Sequence, residues 1–185
     1  MNLTIIDFLK NNKINLKYIC KNHNGKNIMP KITWNDVSHA KSYAIIFEDP
    51  DTPIDNFVHM YIPFINKNIN SLNEINTNLI SHINNKNFNI NINSLNNQNN
   101  MNLIFGLNSL NKFGYHGPCA PVNTGTHRYI FIIYALDNIL KINKDNIFVQ
   151  SSIEFEKILK ENNINIINRD HKEFKYSHSN YLSNK

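Results

Sequence analysis

The run His127–Leu136, HRYIFIIYAL, constrains this chain more than any other stretch. It is dense in β-branched and aromatic residues, which suit an extended backbone. Side chains alternate along a strand, so His127, Tyr129, Phe131 and Ile133 share one face, and Arg128, Ile130, Ile132 and Tyr134 the other. Both faces are heavily apolar. Such a strand is predicted to be central and covered on both sides.

Other segments supply the neighbours. Ser42–Glu48, SYAIIFE, reads as a strand and is closed by Asp49–Pro53, DPDTP, a turn or loop rich in Asp and Pro. Phe57–Phe64, FVHMYIPF, is the next strand. A period of two groups Phe57, His59 and Tyr61 against Val58, Met60 and Ile62, and Pro63 marks the strand's end or an edge. Earlier, Ile14, Leu16, Tyr18 and Cys20 alternate with polar neighbours, which predicts a half-buried strand, and Lys31–Trp34 is another short extended piece. Ser152–Lys160 places Ile153, Phe155, Ile158 and Leu159 at helical spacing, with Ser151 or Ser152 as N-cap. Residues 164–185 show no clear periodicity, and the last ten or so read as frayed. Strands first and one helix late predict a mainly β fold, a two-sheet sandwich with a peripheral C-terminal helix.

At 185 residues, 41% of them apolar, the chain suits one domain spanning 1–185 with a real core. Asparagine makes up about a fifth of it, far above average usage. Asn, Ile and Lys share A/T-rich codons, so base composition explains most of that excess. Its densest part, residues 66–102, reads as a low-complexity surface loop or insertion, with NFNININSLNNQNN at best a marginal strand. The net charge is +5 and the pI about 9.1, but the lysines are scattered. With no basic stripe and no recognisable module, a nucleic-acid partner is excluded, and only a mild attraction to anionic surfaces such as a membrane face remains. No apolar run is long enough to span a membrane. The N-terminus lacks a signal-peptide core, being interrupted by Asp7. Cys20 and Cys119 fit no metal spacing and are too few for a disulfide framework, which points to reduced thiols and a cytoplasmic location.

Chemistry concentrates where backbone is forced into special shapes. Four of the five glycines lie within Gly106–Gly125, so that segment reads as a structured loop feeding the central strand. It carries Gly117-Pro-Cys-Ala-Pro121 and leads to His127 and Tyr129. Taken singly, DPDTP reads as a turn, His59 as a core histidine and Arg128 as a structural partner for a carboxylate. Should Asp49 and His59 border the same cavity as His127 and Tyr129, the site would hold two imidazoles, a phenol, a carboxylate and loop amides. Imidazolium, phenol and backbone N–H all donate to an oxyanion. A carboxylate beside a histidine fixes its tautomer and favours its charged form. That inventory fits a phosphate monoester or a phosphoethanolamine head group.

The same residues carry a resemblance. NIMPKITWNDVSHAKSYAIIFEDPDTP, then FVHMYIP, then GLNSLNKFGYHGPCAPVNTGTHRYIFIIYALD, resembles the phosphatidylethanolamine-binding proteins, also called Raf kinase inhibitor-like proteins, and looks closest to their bacterial and archaeal-type branch. The match covers roughly residues 27–64 and 105–137. It implies a ligand pocket at one end of a two-sheet β-structure, lined by Asp49 of the DPDxP motif, His59 of the following strand, and His127 and Tyr129 of the HRY motif. Gly117, Cys119, Ala120 and Pro121 would form its rim, where Ala120 replaces a usual proline and removes one φ restraint. The ligand implied is a phosphate-like anion or phospholipid head group, with a kinase or other signalling protein as a further partner.

An enzyme is the opposing reading. Cys119 with His127 or His59 resembles the parts of a cysteine hydrolase, but no oxyanion helix follows the cysteine. Asp49, His59 and His127 are also the types for a two-histidine, one-carboxylate metal site. Tyr129 and the rigid amide loop favour anion capture, so the expectation is a binding protein without catalysis or cofactor.

Overall fold

The computed structural model describes residues 1–53, 55–75 and 103–178. A five-stranded antiparallel sheet forms its centre, in the order β10-β9-β5-β6-β8: β5 is Ser42–Asp49, β6 Phe57–Asn66, β8 Leu103–Ile104, β9 Thr126–Leu136 and β10 Ile166–Ser177. A second sheet of three short strands, β1 (Thr4–Ile5), β4 (Ile32–Thr33) and β7 (Ser71–Leu72), and a small hairpin of β2 (Leu9–Lys10) and β3 (Lys13–Ile14) complete the β-structure. Among the described residues one α-helix, α1 (Ser152–Glu161), follows late in the chain. The mainly β sandwich with a C-terminal helix is therefore the fold.

Two cores flank the central sheet. One gathers Tyr43, Ile45, Phe47, Tyr129, Phe131 and Ile133 against the N-terminal segment through Phe8, Tyr18, Ile32 and Trp34. The other gathers Ala44, Ile46, Ile132 and Tyr134 against Leu140, Val149, Phe155 and Leu159. Every residue of β5 is buried, and β9 sends side chains into both cores, which accounts for its two apolar faces. Phe155 and Leu159 fix α1 to the sheet, Phe155 meeting Tyr61 and Tyr134 edge-on at 5.6 and 5.2 Å. Burial of each contributes about 1.5–3 kcal/mol. Ser151 caps the helix by accepting from the Glu154 amide, and buried Glu48 accepts from the Ser152 amide and hydroxyl at 2.8 and 2.6 Å.

Several local expectations change. Between Ile14 and Cys20 there is no continuous strand: β3 ends at Ile14 and Leu16–Tyr18 is a 3-10 turn capped by the Asn15 side chain. The alternation does not follow burial: Leu16 is exposed, while Tyr18, Ile19 and Cys20 are buried in succession. Residues 166–177, which show no clear periodicity in sequence, form β10, the longest strand among the described residues. Pro63 does not end β6. Pro63 and Phe64 stand together opposite Ala44, a bulge that relieves the proline of its missing N–H. The start of the Asn-rich stretch is also structural, since β7 pairs with β4 and Ile75 bridges to Met29. The marginal strand expected at NFNININSLNNQNN lies outside the described residues.

The two cysteines correct the sequence reading most sharply. Cys20 and Cys119, 99 positions apart, form a disulfide. No helix among the described residues is long and apolar enough to cross a membrane, but the disulfide removes the argument for a reducing, cytoplasmic setting.

Candidate functional site

The site assembles where the upper ends of β5, β6 and β9 meet the Tyr115–Gly125 loop. Asp49 is the last residue of β5, and His127 lies near the start of β9. His127 donates from Nδ1 to Asp49 Oδ2 at 2.7 Å. The other carboxylate oxygen accepts from the Asp51 amide at 2.9 Å, so the DPDTP turn itself holds Asp49 in place. Burial raises the Asp49 carboxyl above the ordinary range, against the pull of His127 and the Asp51 amide.

His59 reaches the same face only because β6 is irregular. Phe47 pairs with Met60 and Glu48 with Val58, so His59 is an extra residue, a β-bulge. It turns His59 and Met60 to one side, while Val58 and Tyr61 go to the other. The strict alternation expected for this strand, with His59 beside Tyr61, is therefore broken. His59 lies 5.3 Å from the Tyr129 ring and 5.1 Å from that of Phe47.

Its hydrogen bonds give His59 a different job from the one expected. Nδ1 donates to the His116 carbonyl at 2.8 Å, and the His116 amide returns a bond to the His59 carbonyl at 2.8 Å. Burial, then His116, pushes the His59 pKa well below its ordinary value. It is a neutral imidazole that anchors the loop, not a cationic donor. His116, stacked on it at 5.8 Å and 9°, is pushed down to about 4 by burial and Lys112.

The loop is fixed from behind by the N-terminal segment. Gly117 donates to Asn27 Oδ1 at 2.7 Å, the Tyr115 hydroxyl donates to the Tyr18 carbonyl at 2.8 Å, and the Cys20–Cys119 bond closes the joint. A Cβ on Gly117 would sit 2.2 Å from the Tyr18 carbonyl oxygen, so glycine is required by close approach of two backbones. Ala120 is fully buried in the core, and Pro121 is exposed beyond it. Cys119 is half-buried and its amide donates to the Tyr129 hydroxyl at 3.3 Å. Burial raises the Tyr129 phenol, so it stays protonated as a donor.

The four predicted side chains do converge, but the open cavity expected around them is closed. Asp49 is 2% exposed, His59 3%, and His127 and Tyr129 0%. The closing group is Thr124, which the sequence reading passed over. Its Oγ1 lies 2.8 Å from His127 Nε2 and donates to the Pro121 carbonyl at 2.9 Å. A hydroxyl has one proton. With that proton on Pro121, Nε2–H of a charged His127 donates to Oγ1; with a neutral His127, Oγ1–H turns to Nε2. Thr124 thus occupies the position on Nε2 that an anion's oxygen would take. A hydroxyl residue three before the histidine, between two turn-forming residues, Asn123 and Gly125 (both with positive φ), is the signal that marks it.

The two opposing readings, a cysteine nucleophile and a metal centre, meet atoms that are otherwise engaged. Cys119 carries no thiol while bonded to Cys20, which removes a cysteine nucleophile. Asp49 Oδ2 and His127 Nδ1 face each other at 2.7 Å, so those two atoms are not offered to a shared ion.

Residues 4–170 match the phosphatidylethanolamine-binding protein family. A UPF0098 protein of Methanothermobacter thermautotrophicus is 32% identical over 143 residues, 77% of this chain and 80% of the relative. Another of Aquifex aeolicus is 32% identical over 120 residues, 64% of this chain and 58% of that protein. The crystal structure of the phosphatidylethanolamine-binding protein homologue CT736 of Chlamydia trachomatis superposes with a TM-score of 0.65 at 24% identity, covering 95% of each chain, a likeness of fold.

Proposed function

The chain belongs to the phosphatidylethanolamine-binding protein family, and from that premise we propose that it binds a phosphate-bearing anion, free or as a phospholipid head group, at the Asp49–His127 pair. The observation that carries the reading is the buried relay Asp49–His127–Thr124, held at 2.7 and 2.8 Å beneath a loop of which Pro121, Val122 and Gly125 face water. An incoming oxyanion replaces the Thr124 hydroxyl on Nε2, and Asp49 supports the imidazolium from the other side. The Tyr129 hydroxyl supplies a further donor.

Thermal unfolding with inorganic phosphate, phosphoethanolamine, and vesicles with or without phosphatidylethanolamine tests this. A ligand at 100 times its Kd stabilises by about 2.7 kcal/mol. His127→Ala should abolish that gain, and Thr124→Ala should preserve or strengthen it by freeing Nε2. Equal stabilisation of His127→Ala and the parent chain would overturn the assignment.

A further inference from the structure

Beside the anion site, the chain brings together a second group of side chains with a different chemistry. One ligating atom each of Cys20, His23 and Cys119 lie within 4.8 Å of one another. Cys20 is buried, while His23 and Cys119 are half-buried and within reach of solvent. The three come from a 3-10 turn and its cap at residues 20–23, and from the loop before β9. His178, just past β10, packs edge-on against His23 with ring centroids 4.4 Å apart. Its Nδ1 is buried without a hydrogen-bond partner among the described residues. The Tyr176 hydroxyl orients His23 at 2.7 Å from Nδ1, the kind of outer contact that accompanies ligating imidazoles.

We propose that Cys20, Cys119 and His23, with His178 beside them, form a site for a zinc-type divalent cation that becomes available when the Cys20–Cys119 disulfide is reduced. Two thiolates and imidazole nitrogen are the donor set that selects a borderline-soft, tetrahedral ion. The disulfide and the ion exclude each other, because sulfurs bonded together are not thiolates. A dithiol reductant opens the site: one of its thiolates attacks a sulfur, the mixed disulfide is resolved by its second thiol, and the reductant leaves as a cyclic disulfide. Two electrons pass to the protein sulfurs, which become two thiols. The cation then displaces both thiol protons, so two protons are released per ion. The geometry permits the exchange. With metal–sulfur bonds of about 2.3 Å in a tetrahedron the sulfurs need to part to about 3.8 Å, which side-chain rotation can supply across Cα atoms 5.5 Å apart. The ion then ties residue 20 to residue 119 as the covalent bond did.

The test uses the whole chain, reduced by a dithiol that is removed without air, against the untreated chain. Cobalt(II) is titrated first and zinc is then measured by competition with a chromophoric chelator. The reduced chain should bind one equivalent, show thiolate-to-cobalt charge-transfer absorption, release two protons per zinc, and bind at least about 100-fold more tightly than the oxidised chain. His23→Ala keeps both cysteines and should weaken zinc by at least about 10-fold. Equal zinc affinity in reduced and oxidised chains, or in reduced parent and His23→Ala, would sink the proposal. Phosphate stabilisation of the oxidised chain is a separate readout and does not depend on it.

Discussion

The DPDTP turn carries two aspartates two positions apart, and each meets a cation-capable side chain of β9, yet the two pairs live in different solvents. Asp49 pairs with His127 at 2.7 Å, where both are almost wholly buried. Asp51 pairs with Arg128 at 2.7 and 2.8 Å, where the side chains are 27% and 47% exposed. Adjacent residues of a strand face opposite ways, so one step along β9 separates interior from surface. Burial raises the Asp49 carboxyl, whereas the Arg128 guanidinium lowers that of Asp51. The same contact chemistry is thus a poised, desolvated relay in one place and a turn clamp in the other.

Removing half of the inner pair should produce the largest effect. Asp49→Ala leaves His127 buried beside nothing that accepts from Nδ1, and frees the Asp51 amide as well. A loss of about 3–5 kcal/mol is expected in urea unfolding, together with loss of anion stabilisation. If Asp49→Ala costs under about 1 kcal/mol, the pair is not the buried device described here.

Acid should act next, through the histidines of the loop. His116 titrates near 4 in the fold and His59 well below its ordinary value, both held neutral chiefly by burial. An unfolded histidine takes its proton near 6.5, so between there and about 4 the unfolded chain binds more protons. Stability is then fully present above about 6.5 and is lost as pH falls toward 4. The raised Asp49 carboxyl works in the opposite sense, above 3.8. His116→Gln, neutral at every pH, should recover about 2 kcal/mol of the acid loss between pH 7 and 4.5. An acid profile unchanged by that variant would show that His116 is not held neutral.

How much of this was legible follows from which forces leave a trace in sequence. β5 and β9 were readable because burial on both faces demands unbroken apolar runs, and α1 because its stripe and Ser151 cap coincide. The convergence of Asp49, His59, His127 and Tyr129 came through their motifs. β10 was not readable: an edge strand with water on much of its surface carries Arg169, Asp170, His171, Lys172 and Glu173 in a row, without a period of two. The bulge at His59 depends on cross-strand register, which no local pattern encodes. Pairing of Cys20 with Cys119 depends on two loops meeting 99 residues apart. Closure by Thr124 is a rotamer and turn property, invisible to residue type alone.

The smallest effect should come from the outer pair, and it is the most discriminating control. Arg128 grips Asp51 through both Nε and Nη2, but water competes for every one of those atoms. Truncation in Arg128→Ala also leaves intact the bond from the Arg128 backbone amide to Asp51 at 2.8 Å, so the turn keeps one of its ties to β9. A loss of about 0–1 kcal/mol is expected, shrinking further in high salt because exposed charges are screened. Phosphate stabilisation should persist in this variant, since Arg128 points away from His127. A loss matching that of Asp49→Ala, or insensitivity to salt, would mean that solvent does not separate the two pairs, and that the anion site reaches across both faces of β9.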